Sequence, residues 1–151
     1  AYFDFDNFKP FNDTYGFRQG DRAILLFAEL LKKSFIADGA FLGHIGGDDF
    51  FAGWRDIGLD QARERLADLR ESFRHQVETF YDKDARDAGG IVAKDRSGVE
   101  RTFPLLSVSI AVMHLKPGRG GITPDDLAQQ IAVTKKESKR ADDGISIGIV
   151  G

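Results

Sequence analysis

Residues 1–6 alternate in polarity with a period of two. Phe3 and Phe5 fall on one side and Tyr2, Asp4 and Asp6 on the other, which predicts a strand ending in carboxylates. Residues 7–20 break the alternation with Pro10, Asn12, Asp13, Gly16 and Gly20, the composition of a loop. Behind Asp21, taken as an N-cap or first-turn residue, Ile24, Phe27, Ala28, Leu31 and Phe35 recur at helical spacing, and Asp38-Gly39 supplies the stop. Two apolar runs, 40–45 and 50–54, flank Gly46-Gly47-Asp48-Asp49 and predict a hairpin.

Asp60 can cap a long helix whose buried stripe is Ala62, Leu66, Leu69, Phe73, Val77 and Phe80. A polar stretch then leads to Ile91-Val92 and Arg101-Thr102-Phe103, two short strands about an Asp95-Arg96-Ser97-Gly98 turn. Residues 105–113 read as an interior strand and 117–121 as a loop. Thr123-Pro124-Asp125-Asp126 opens a helix carrying Leu127, Ile131 and Lys139, and residues 145–150 form a last strand. Hairpin-joined strands among helices predict an α/β (α+β) sandwich whose sheet is largely antiparallel, in one domain over residues 1–151.

Composition narrows the partners. A chain of 151 residues with 42% hydrophobic and 30% charged residues is long enough for one core and reads as a soluble globular domain. The net charge of -3 gives no basic field for nucleic acid, and no apolar run suggests membrane contact. With no cysteine, thiolate zinc sites and cysteine nucleophiles are excluded, and a reducing, cytoplasmic setting is the default.

The chemistry gathers at strand ends. If the first strand neighbours the hairpin, Asp4 and Asp6 meet Asp48 and Asp49 at one sheet edge, a setting for a hard cation such as Mg²⁺. Gly46 and Gly47 allow close backbone approach to an anion and Lys9 adds a point charge, which together suggest phosphoryl or nucleotidyl transfer. Taken singly, the glycine pair, Asn12-Asp13 and Asp21 also serve as ordinary turn and cap residues. Lys9, Lys135, Lys136 and Lys139 read singly as solvated, and His44 and Trp54 as strand packing. Asp4, inside a strand between Phe3 and Phe5, requires a neutralising partner. A calcium loop is excluded by Phe8 and Lys9, and no Gly-Lys-Ser/Thr phosphate loop occurs.

The run 4–13 (DFDNFKPFND), Tyr15-Gly16-Phe17, Gly20-Asp21 and the later Gly46-Gly47-Asp48-Asp49-Phe50 together resemble the GGDEF family of diguanylate cyclases. Ser107-Val108-Ser109-Ile110 and the helix ending near Lys139 are similar to its later elements. The resemblance implies a palm-like sandwich similar to class III nucleotide cyclases, here lacking the family's opening helix and carrying an appended hairpin near 84–103. It implies metal ligation by Asp4, the Phe5 carbonyl, Asp48 and Asp49, with Mg²⁺ or Mn²⁺ as cofactor and Asp48, Asp49 and Asp4 as catalytic groups. Asn12 and Asp21 would read guanine; Asn7, Phe8, Lys9 and Lys139 would hold the triphosphate, and Gly46 and Gly47 would admit the α-phosphate.

The implied reaction condenses two GTP into cyclic di-GMP and two pyrophosphates, and requires a homodimer because each domain holds one GTP. The setting implied is bacterial signalling in the cytoplasm, with sensor or EAL domains elsewhere in a longer chain. The signature reads GGDDF, so Asp49 stands one methylene shorter than the usual glutamate. His44, Phe17 and Asp143 replace the family's arginine, histidine and arginine, and residues 37–40 (ADGA) lack the Arg-x-x-Asp product site. The alternative reading is a catalytically impaired GTP-binding module regulating a neighbouring domain such as an EAL phosphodiesterase.

Overall fold

A computed structural model describes residues 1–117 and 121–150. Five strands form one sheet in the order β2 (Phe41–Gly46), β3 (Asp49–Gly53), β1 (Tyr2–Asp6), β6 (Ser107–Leu115), β7 (Ile145–Val150). Neighbours run antiparallel except β6 and β7, which are parallel. The expected α/β sandwich with a largely antiparallel sheet is therefore the fold. The loop expected at 117–121 lies partly outside the described residues.

The period-two pattern of β1 decides what each face of the sheet meets. Phe3 and Phe5 are buried and pack on α2 (Phe17–Phe35) and α3 (Leu59–Val77). Phe5 lies 5.4 Å from Phe27 and 4.8 Å from Phe73 between ring centroids, and Phe27 meets Phe50 edge-on at 5.0 Å. Ala62, Leu66, Leu69, Phe73 and Val77 supply the buried stripe of α3 as expected, whereas Phe80, expected in the same stripe, is half-buried in a 3-10 turn beyond the helix. Tyr2, Asp4 and Asp6 turn to the opposite face, toward α5 (Pro124–Ser138). The Thr123 hydroxyl accepts from the Asp126 N–H while the Asp126 carboxylate accepts from the Thr123 N–H, a reciprocal cap that starts α5 where the sequence predicted.

Three expectations are corrected. Residues 8–15 are not loop but a short helix, α1 (Phe8–Tyr15), anchored by buried Pro10 and Phe11. Asp21 is neither an N-cap nor a first-turn residue, because α2 begins at Phe17 behind Gly16. The polar stretch after α3 contains another short helix, α4 (Lys83–Ala88), whose N-cap Asp82 accepts from the Ala85 N–H at 2.9 Å. Asp82 also accepts from the Tyr15 hydroxyl at 2.8 Å, tying α1 to α4. Strands β4 (Gly90–Lys94) and β5 (Glu100–Pro104) pair only with each other, as a separate ladder beside α1.

Candidate functional site

The register answers whether the two acidic stretches meet. β1 lies beside β3 with Asp4 opposite Asp49, so like charges from distant parts of the chain face each other across one ladder. Asp48 stands next to them in the β2–β3 turn, where Gly46 and Gly47 adopt φ of 139° and 54°, values that L side chains avoid. His44 braces this turn: its ring stacks on Phe50 at 4.4 Å and its Nε2–H donates to the Gly47 carbonyl at 2.8 Å. Burial raises the Asp48 carboxyl above the ordinary carboxylate range, and the negative charges of Asp4 and Asp49 add to the rise while Lys139 opposes it.

Two lysines, Lys135 in α5 and Lys139 at its C-cap, stand among these oxygens. Lys139 Nζ donates to Asp6 Oδ1 at 2.7 Å and to the Phe5 carbonyl at 3.1 Å, and lies 3.3 Å from Asp4 Oδ2. Asp6 is further engaged by the Ser107 and Ser109 hydroxyls at 2.9 and 2.8 Å, so its carboxylate is committed to fixing β6 and Lys139. Lys135 Nζ sits 3.7 Å from Asp4 Oδ2 and 3.8 Å from Asp49 Oδ1, over the Tyr2 ring at 4.1 Å from its centroid. The Tyr2 phenol is pushed up to about 12 by burial and by the neighbouring Asp49 carboxylate. Neither Lys135 nor Lys139 is simply solvated. Their i, i+4 spacing, which sets both on one helical face, was the available sequence signal.

A cleft of about 680 Å³ opens from this cluster along α1, a volume suited to a nucleotide-sized ligand. Its acidic end is lined by Asp4, Phe5, Asp48 and Lys139; Asn7, Phe8, Lys9 and Asn12 continue it along α1. Asn7 precedes the helix in the left-handed region at φ 63°, and no side chain caps the first turn, which leaves backbone N–H groups facing outward. Lys9 pairs with Asp13 one turn on.

Asn12 Oδ1 is buried without a hydrogen-bond partner. It fills the space beside Gly20, where an added Cβ would meet it at 1.9 Å. Asp21, the next residue along α2, is exposed and does not line the cleft; nor do Asp49, Gly46 and Gly47, which stay at its hairpin edge. The opposite wall comes from the β4–β5 hairpin, with Lys94 and Phe103 from its strands and Asp95 and Arg96 from its turn, a contribution the sequence did not signal because the hairpin is far away in chain order.

The donor set is a test of what the acidic end accepts. A carboxylate and a backbone carbonyl already hold a cationic group, the Lys139 ammonium, and every donor is a hard oxygen. These residues fit a hard divalent cation. Among the described residues no three carboxylate or imidazole groups are drawn together tightly enough to ligate one as they stand, because ammonium groups are interleaved with them.

A family model described as "Diguanylate cyclase, GGDEF domain" matches residues 1–93. Diguanylate cyclase DgcP of Escherichia coli (strain K12) is 30% identical over 122 residues, covering 77% of this chain and 34% of that protein. The chain thus spans about a third of that relative's length. Among solved structures, the active GGEEF domain of a diguanylate cyclase from Vibrio cholerae superposes with TM-score 0.60 at 18% identity, over 98% of this chain and 79% of that one. The coiled coil and GGDEF domain of DgcB from Caulobacter crescentus, in complex with c-di-GMP, gives TM-score 0.65 at 19% identity, over 97% of this chain and 67% of that one.

Proposed function

The chain belongs to the GGDEF diguanylate cyclase family, and from that membership we propose that it binds GTP in the α1 cleft and condenses two GTP into cyclic di-GMP. The observation that carries the reading is the cation already seated on the Asp4 carboxylate and the Phe5 carbonyl, at the end of a cleft that leads to Asn12.

Asp4, the Phe5 carbonyl, Asp48 and Asp49 would hold Mg²⁺ or Mn²⁺, which when bound supplies positive charge against the polyphosphate. The first-turn N–H groups of Asn7, Phe8 and Lys9, the Lys9 ammonium and Lys139 hold the triphosphate. The side-chain-free turn at Gly46 and Gly47 lets the α-phosphate approach the backbone. Asn12 in the cleft, and Asp21, which lies outside the cleft lining and follows the Gly20 that Asn12 packs on, read guanine. A carboxylate accepts from its N1–H and amino group, whereas adenine presents an acceptor at N1. Asp48 takes the proton of the attacking 3′-hydroxyl as its oxygen bonds to the α-phosphorus of the second GTP and the bond to pyrophosphate breaks. The same step repeated in the other direction closes the ring and releases the second pyrophosphate.

One cleft holds one nucleotide, so two copies of the domain must face each other with their acidic ends adjacent. No described helix is long and apolar enough to cross a membrane. GTP as substrate places the reaction on the cytoplasmic side of a bacterial cell, in signal transduction, with sensor or EAL domains as partners in a longer chain.

The test is incubation with GTP and Mn²⁺ followed by chromatographic separation of products. Cyclic di-GMP should form, and product should fall to background in Asp4→Ala. Tight GTP binding with no product from a dimeric preparation would refute the cyclase reading.

A further inference from the structure

Lys135 has no role in the chemistry just described, yet its surroundings are specific. It is partly withdrawn from solvent while its neighbour Lys136 is exposed. Its ammonium lies between Asp4 and Asp49, the two carboxylates that the β1–β3 register sets opposite each other. Like charges directly opposite on a ladder repel, so an ammonium at this point compensates a cost built into the sheet.

Lys135 differs from Lys139 in how it is held. Lys139 donates hydrogen bonds of 2.7 and 3.1 Å, whereas Lys135 stands 3.7 and 3.8 Å from its carboxylates, within ion-pair range but beyond hydrogen-bond length. Lys135 can therefore leave the carboxylates without breaking a hydrogen bond. The Tyr2 ring already lies beneath the ammonium, 4.1 Å from its centroid, a cation–π contact that does not depend on the carboxylates.

The geometry points to Lys135 as a positioning residue, an internal counter-ion that holds Asp4 and Asp49 together and competes with the divalent cation for them. The inference rests on the reading of Asp4 and Asp49 as cation ligands. It implies that the ion concentration needed to organise the site is set partly by α5. An ion that binds must outcompete a tethered ammonium, and removing that charge leaves Lys139 as the ammonium beside Asp4 and none bridging Asp4 to Asp49, so the pair is more attractive to Mn²⁺.

The test uses Mn²⁺ alone, without nucleotide, on the whole 151-residue chain, with free ion read by electron paramagnetic resonance. Lys135→Met keeps the aliphatic stem on Tyr2 and should tighten Mn²⁺ binding by about tenfold. Lys135→Gln should do the same and serves if the methionine variant folds poorly, while Lys135→Arg should stay near wild type. As a second readout, Mg²⁺ should shift the Lys135 ε-methylene resonances in the wild type, because its ammonium is what moves, and leave those of the exposed Lys136 nearly unchanged. Unchanged or weaker Mn²⁺ affinity in both neutral variants, with binding still abolished by Asp4→Ala, would overturn the Lys135 inference and leave the cation reading standing. Mn²⁺ binding that survives Asp4→Ala would overturn both.

Discussion

Gly20→Ala is the most discriminating perturbation of the proposed guanine pocket, because it acts on Asn12 from behind, at a residue that does not itself line the cleft. Gly20 is buried in the first turn of α2, where alanine is favoured over glycine by at most about 1 kcal/mol. Against this, the new Cβ would stand 1.9 Å from Asn12 Oδ1, 2.9 Å from its Cγ and 3.2 Å from Phe8 Cζ, so Asn12 must rotate away. Overpacking of this kind costs about 1–3 kcal/mol. The displaced oxygen has no hydrogen bond to lose, which keeps the cost at the low end. The net change in stability should therefore fall within about 1 kcal/mol, visible as a small shift in thermal midpoint.

Nucleotide binding should respond far more. Losing one or two base hydrogen bonds at about 1 kcal/mol each weakens GTP by roughly 5–30-fold, while ATP, which lacks the guanine pattern, changes little. Calorimetric titration of both nucleotides in wild type and Gly20→Ala measures the ratio directly. If the variant is folded and still binds GTP within about twofold of wild type, Asn12 does not read the base and the pocket assignment is wrong.

Other expectations concern the core and its acid sensitivity. Phe73 is fully buried against Phe5 and Phe27, so Phe73→Ala should cost about 3–5 kcal/mol and lower the thermal midpoint by roughly 10 °C, as calorimetry would show. The Asp82 carboxyl is held below the ordinary carboxylate range by the Ala85 N–H and the Tyr15 hydroxyl. A depressed carboxyl contributes stability that is present above its unfolded value and lost as pH falls through the folded one. Asp82→Asn keeps a capping oxygen but cannot titrate, so the wild type should lose stability relative to this variant on acidification below about pH 4, measured by urea unfolding across pH. Replacing Lys94 and Arg96 together by alanine removes two cations from the cleft wall and should raise the KM for GTP more than it lowers kcat.

What the sequence disclosed depended on how locally each feature is determined. The β1 alternation, the Gly46-Gly47 turn and the Thr123–Asp126 cap are set by residues within a few positions of one another, and the structure contains all of them. Helix α1 was not legible because Pro10, Asn12, Asp13 and Thr14 carry turn propensity. Its helicity comes from tertiary contact, with Phe11 packed on Tyr81 at 5.1 Å and Tyr15 tied to Asp82. Helix α4, at six residues, is too short to show periodicity. Asp21 has the chemistry of a cap but stands inside a helix that starts a turn earlier, behind a glycine with no side-chain cap of its own. At the site, the meeting of Asp4 with Asp49 could be anticipated from strand adjacency. The inward turn of Lys135 could not be separated from the outward turn of Lys136 until α5 was packed on the sheet.

The separate β4–β5 ladder has a practical consequence. Its strands bond only each other, yet its turn forms one wall of the cleft, so changes at Arg96 or Ser97 need not disturb the main sheet. The chain contains no cysteine, so a thiol introduced there would be unique and could carry a single fluorophore. Such a label would sit at the rim of the proposed nucleotide cleft and convert ligand occupancy into an optical signal.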